Sequence, residues 1–95
     1  MTLWRLAANH THLYPGALLR CLDAPAGARL ARADRAAVEL ADGTLALGRF
    51  AAVDCASAAL DMQPHRTHRG AQVAARRWRV VPGGEPGLLR VRRRI

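Results

Sequence analysis

Arginine is the residue type in this chain best suited to chemistry, and it is concentrated at one end. The last twenty residues, RRWRVVPGGEPGLLRVRRRI, hold seven arginines and one glutamate. A guanidinium presents a planar fork of N–H donors that grips phosphate or carboxylate oxygens two at a time. Residues 66 to 95 carry nine arginines against Glu85 alone, whereas residues 1 to 65 carry six arginines against six acids. The net charge of +8 therefore resides in the last third. Such asymmetry suits contact with an anionic polymer, a membrane surface or an acidic protein. The choice of arginine over lysine says nothing further, because all 15 basic residues are arginine and alanine fills about a fifth of the chain, as in a GC-rich coding sequence.

How these arginines are presented depends on PGGEPG at residues 82 to 87, which can continue neither helix nor strand. If Val81 pairs with Leu88, then Val80 opposes Leu89 and Trp78 opposes Val91, an apolar face. On the other face Arg79 opposes Arg90 and Arg77 opposes Arg92, with Arg94 beyond the last pair. Like charges set opposite each other cost roughly 0.2 to 1 kcal/mol a pair, which a bound polyanion would relieve. The competing reading is a solvated face whose arginine stems cover apolar surface. Arg77, Arg79, Arg90, Arg92 and Arg94 are the candidate anion-binding residues, with Arg66 and Arg69 flanking them. Trp78 is the only aromatic residue in the basic third and is expected to point inward, so a stacking platform for single strands is disfavoured. Backbone contact without sequence readout is the expected mode.

The remaining chemistry is sparse. His10 and His12 would share a face of a strand, and His65 and His68 form a second pair, but Cys21 and Cys55 complete no zinc spacing with them. Neither metal nor cofactor is expected. PHRTHRGAQ, residues 64 to 72, has the makings of an anion-binding turn in Thr67, Arg66, Arg69 and Gly70, although an ordinary basic loop is the favoured reading. Ser57 is the lone serine, Cys55 has no neighbouring histidine, and no phosphate loop, dinucleotide fingerprint or HExxH motif occurs. The chain is not expected to be an enzyme.

The elements that must position the arginines are short strands. The clearest is VELADGTLAL, residues 38 to 47, where Asp42-Gly43 suits a two-residue type I′ turn. That loop sets Ala41 against Thr44, Leu40 against Leu45 and Val38 against Leu47, and so places Val38, Leu40, Leu45 and Leu47 on one face. Gly48 is then expected to form a bulge that returns Phe50 to the side of Leu47, with the strand running on through FAAVDC. SAALDMQPH suggests one helical turn capped by Asp54 or Ser57, residues 26 to 37 lean towards strand, and TLWRLAA and ALLRCLD read as strands around HTHLYPG.

Ninety-five residues fit one small domain spanning 1 to 95, with a basic C-terminal hairpin at about 76 to 95. Twenty of its 48 apolar residues are alanine, so the core is thin and a second subunit would help. No signal peptide or membrane span is apparent, two cysteines make no disulfide scaffold, and a cytoplasmic protein is expected. The expected fold is mostly β, a small antiparallel barrel or sandwich with at most a short helix. The expected function is a non-enzymatic binding module whose basic surface contacts an anionic polymer, with nucleic acid as the leading candidate. The alternative is a protein–protein interaction or assembly subunit, as a homodimer or in a larger complex, joined through strand edges or exposed apolar surface.

Overall fold

The computed structural model describes residues 2 to 23, 35 to 51 and 57 to 95. Every regular element among them is a strand: β1 (Thr2–Leu6), β2 (Leu18–Cys21), β3 (Arg35–Glu39), β4 (Leu45–Ala51), β5 (Ala58–Met62), β6 (His65–Arg66), β7 (Gln72–Val73), β8 (Arg76–Pro82) and β9 (Leu88–Arg94). Seven of them close into a barrel in the order β1-β2-β9-β8-β5-β4-β3, and β6 and β7 form a separate small hairpin. The expected small β barrel is what forms. Its pairs are antiparallel except the one that closes it, β1 against β3, which is parallel. Closure leaves no unpaired edge among the seven strands, the usual remedy for exposed ladder groups. No helix among the described residues is long and apolar enough to cross a membrane.

The core follows from alternation. Along β4 the residues alternate outward and inward, with Ala46, Gly48 and Phe50 buried and Leu45, Leu47 and Arg49 exposed. Phe50, Leu19, Leu60, Val38, Val80 and Val91 fill the centre, and Trp4 meets Phe50 edge-on with ring centroids 5.9 Å apart. Alanines at 17, 36, 46 and 58 occupy the remaining inward positions. A barrel this narrow needs small residues opposite large ones.

Three expectations are corrected here. First, the β3–β4 turn has three loop residues instead of two: Leu40 N–H donates to the Thr44 carbonyl at 2.9 Å, and Gly43 is left-handed at φ 85°. Val38 therefore opposes Ala46 and Glu39 opposes Leu45. This one-residue slip turns Leu45 and Leu47 outward, 53% and 44% exposed, and sends Ala46 in. The cause is partly tertiary. The Asp42 carboxylate accepts from the Thr44 N–H at 3.0 Å and from the distant His68 N–H at 2.7 Å, which holds the longer loop.

Second, Gly48 is not a bulge; β4 runs through it unbroken, and Phe50 lies on the face opposite Leu47. Glycine is required there by space. A Cβ would lie 2.7 Å from Met62 Sδ and 2.8 Å from the Asp61 carbonyl oxygen. Third, the stretch read as a helical turn contains strand β5, held on both sides by β4 and β8. Two partner strands override the weak helical preference of its alanines. The readings for residues 26 to 34, for the continuation into 52 to 55 and for the Asp54 cap lie outside the described residues.

Candidate anion-binding surface

The basic C-terminal segment is a hairpin, β8 with β9, but its register differs from the expected one. Val80 opposes Val91, Val81 opposes Arg90 and Pro82 opposes Leu89. The displacement is two residues, which preserves faces, so Trp78, Val80, Leu89 and Val91 are buried as the pattern required. Beyond Val80 the register shifts again: Arg79 opposes Arg93 and Trp78 opposes Arg94. Arg92 is left as the extra residue of a bulge. A bulge keeps two successive side chains near one face, which accounts for Arg92 and Arg93 both being exposed.

The like-charge pair is consequently Arg79 with Arg93, in place of Arg79 with Arg90 and Arg77 with Arg92. Arg90, on the same outer face, lies between Val81 and Leu18. Arg94 stands opposite Trp78, at the inward register but at the open end of the barrel, where it is exposed. Arg77 is committed elsewhere. Its Nε donates to Asp61 Oδ1 at 2.5 Å and its Nη2 to Asp61 Oδ2 at 3.0 Å, a bidentate pair. The hydrogen bonding, and then the charge, of Asp61 raise the Arg77 pKa above its ordinary value. Arg79 is half-buried, with Nη1 donating to Ser57 Oγ at 3.2 Å and a buried Nε that lacks a partner.

The registers extend the basic surface beyond the hairpin. One outward row runs across four strands as Arg35, Arg49, Asp61 and Arg77. The next row runs as Ala51, Ala59, Arg79 and Arg93. Together with Arg90 and Arg92 these rows place seven arginines on the outside of β3, β4, β8 and β9, and Asp61 is the one carboxylate in the two rows. Rows two residues apart lie about 7 Å from each other and neighbouring strands about 4.8 Å, so Arg77, Arg79, Arg90, Arg92 and Arg93 are neighbours on β8 and β9, while Arg35 on β3, four strands from β9 by way of β8, β5 and β4 in the closed barrel, faces round the curve. Around the barrel, Arg5 pairs with Glu39 and Arg20 with Glu85, each at 3.1 Å, which neutralises the β1–β2 side. Arg35, Arg49 and Arg93 were missed as site residues because their positions on the wall depend on strand pairing between distant segments. Only the bulge at Arg92 could have pointed to Arg93.

The flanking turn is differently employed. Thr67 N–H bonds the Ala71 carbonyl, Gly70 N–H bonds the Thr67 carbonyl and Ala71 N–H bonds Thr67 Oγ1, so these donors are satisfied within the turn. The anion it does bind is the protein's own Asp42, through His68 N–H. Those hydrogen bonds, with those from Thr44, hold the Asp42 carboxyl at a pKa of about 2. Arg66 and Arg69 themselves project into solvent.

The histidines are dispersed. His10 packs edge-on against Tyr14 at 4.6 Å and lies 5.8 Å from His12, while His65 Nε2 bonds the Thr11 carbonyl at 3.1 Å. Among the described residues no group of three or more His, Cys, Asp or Glu side chains could hold a metal ion. Comparison with protein families, with curated proteins and with solved structures returned no match.

Proposed function

We propose that the chain is a non-enzymatic binding module that holds an anionic polymer, nucleic acid first among candidates, against the outer wall of β8 and β9. One observation carries this reading: Arg79 and Arg93 are directly opposed, with Arg90 and Arg92 beside them, and none of the four has an ion-pair partner among the described residues. Phosphates supply the missing counter-charge, and a guanidinium donates to their oxygens bidentately. The wall carries no exposed aromatic ring, which favours contact along the backbone over base stacking.

The test is duplex binding at several salt concentrations. Each phosphate contact contributes about −0.9 to the slope of log affinity against log salt. One phosphate contact from each of these four arginines gives a slope of about −3.6, and the triple variant R90A/R92A/R93A reduces its magnitude by about 2.7. A salt-independent affinity, or a triple variant that binds like the parent, overturns the proposal. Arg77 serves as the internal control, because its fork is occupied by Asp61 and R77A is expected to change the slope least.

A further inference from the structure

A second site lies inside the barrel mouth, on residues the outer wall does not use. A cavity of about 290 Å³ lies between barrel residues and the β6–β7 hairpin, whose His65, Gln72 and Val73 help line it. Its walls include the buried Leu40, Met62 and Trp78, and the exposed Gln72 and Arg76 stand at its rim. The hairpin above it is held in two places, by His65 Nε2 to the Thr11 carbonyl at 3.1 Å and by the Asp42 carboxylate to His68 N–H at 2.7 Å. The chamber is thus preformed. Its volume equals the liquid share of about ten water molecules, at the lower limit of ordinary small-molecule pockets.

We infer that this cavity binds a small organic anion, a carboxylate carried on a single apolar ring. The lining supplies one formal charge, Arg76, and no carboxylate to balance it. Arg76 makes no ion pair among the described residues. The register sets Arg76 and Trp78 on the same inward face of β8, so the guanidinium stands beside the ring on one strand. An apolar body would meet Met62 and Trp78 while its carboxylate reached the arginine at the rim, the arrangement of most small-ligand sites. His65 also lines the cavity, with its Nε2 donating to the Thr11 carbonyl and its Nδ1 buried out of reach of solvent.

The test uses the full chain, with benzoate, benzamide and inorganic phosphate as probes in ¹H–¹⁵N spectra. Benzoate is expected to shift the Trp78 indole N–H and the Gln72 side-chain amide saturably, and to leave the Trp4 indole, bonded to Thr2 Oγ1 at 2.7 Å, unmoved. Benzamide has the same shape without the charge and should bind about tenfold more weakly, as should benzoate to R76Q, since a charged hydrogen bond is lost in each case. Benzamide should bind R76Q and the parent alike. An unchanged Trp4 signal in R76Q shows that the variant is folded. The inference is overturned if benzoate moves neither Trp78 nor Gln72, if benzamide binds equally well, or if R76Q leaves benzoate affinity unchanged. It is also overturned if phosphate alone reproduces the shifts, because the ring would then contribute nothing. The outer wall is probed by different residues, so either site stands or falls without the other.

Discussion

Arg79 is held in a way that opposes the stability of the free protein. Its Nε is buried without a partner, and its guanidinium faces Arg93 across the hairpin. An unsatisfied buried donor costs about 1–3 kcal/mol and a like-charge cross-strand pair roughly 0.2–1 kcal/mol. Methionine keeps the apolar stem and removes both penalties. Arg79→Met should therefore raise the unfolding free energy by about 1 kcal/mol, a Tm gain of about 4–8 °C for a domain of this size, while weakening duplex binding. A variant less stable than the parent, by calorimetry or chemical denaturation, would show that Arg79 is kept for packing alone. Asp42 has the opposite character. With a folded pKa of about 2 against the ordinary 3.8, its ties to His68 and Thr44 contribute stability that is fully present above about pH 4 and is lost as pH falls through about 2. Carbon-detected titration of the Asp42 carboxyl should give that low midpoint, and a midpoint near the ordinary value would mean the ties do not hold in solution.

At the scale of elements, the two hairpins show what sequence pattern can and cannot decide. Both were legible as hairpins, because Asp42-Gly43 and PGGEPG interrupt runs of alternating residues. Neither register was. In β8–β9 the error was two residues from Val80 onward, which keeps faces, and three beyond the bulge; the alternation along each strand still buried Trp78, Val80, Leu89 and Val91, and the cross-strand partners changed. In β3–β4 the error was odd, and it exchanged the core position of Leu47 with that of Ala46. Apolar pattern misled here, since two leucines seemed to require burial; the deciding contacts, His68 to Asp42 and Met62 against Gly48, come from segments distant in sequence. The arginine wall was half legible for the same reason, with Arg77, Arg79, Arg90 and Arg92 evident, Arg93 needing the bulge and Arg35 and Arg49 needing the barrel to bring them alongside. Paired substitutions test the register. Leu47→Asn should change stability by no more than about 0.5 kcal/mol, as at other surface positions. Ala46→Asn adds volume and an unpaired amide to a closed interior and should cost about 1–3 kcal/mol or more. A two-residue turn predicts the reverse order, so urea midpoints of the two variants discriminate directly.

For the whole molecule, a thin core and a crowded cationic wall combine into a dependence on salt. Among the described residues, the barrel of this small domain closes around thirteen larger apolar side chains and four alanines, a core modest enough that small electrostatic penalties are a meaningful fraction of its stability. Neighbouring arginines of the β8–β9 face have backbone positions roughly 5–7 Å apart, inside the Debye length of about 10 Å at 0.1 M ionic strength and outside that of about 3 Å at 1 M. Their mutual repulsion is therefore felt at low salt and screened at high salt. The free protein should gain stability as sodium chloride rises from 0.1 to 1 M, by about 1 kcal/mol if two or three like-charge neighbours contribute, or a Tm increase of several degrees. The same change weakens duplex binding, so stability and affinity should move in opposite directions along one salt axis. R90A/R92A/R93A removes three of the four β8–β9 wall arginines without an ion-pair partner among the described residues, and its Tm should be higher at low salt and flatter against salt than the parent's. Apolar burial also responds to salt, but it is common to both proteins, so the difference between the two curves isolates the wall. Parallel curves for parent and triple variant would mean that the arginines splay far enough into water to ignore one another. The physical reason offered for their needing an anionic partner would then be gone.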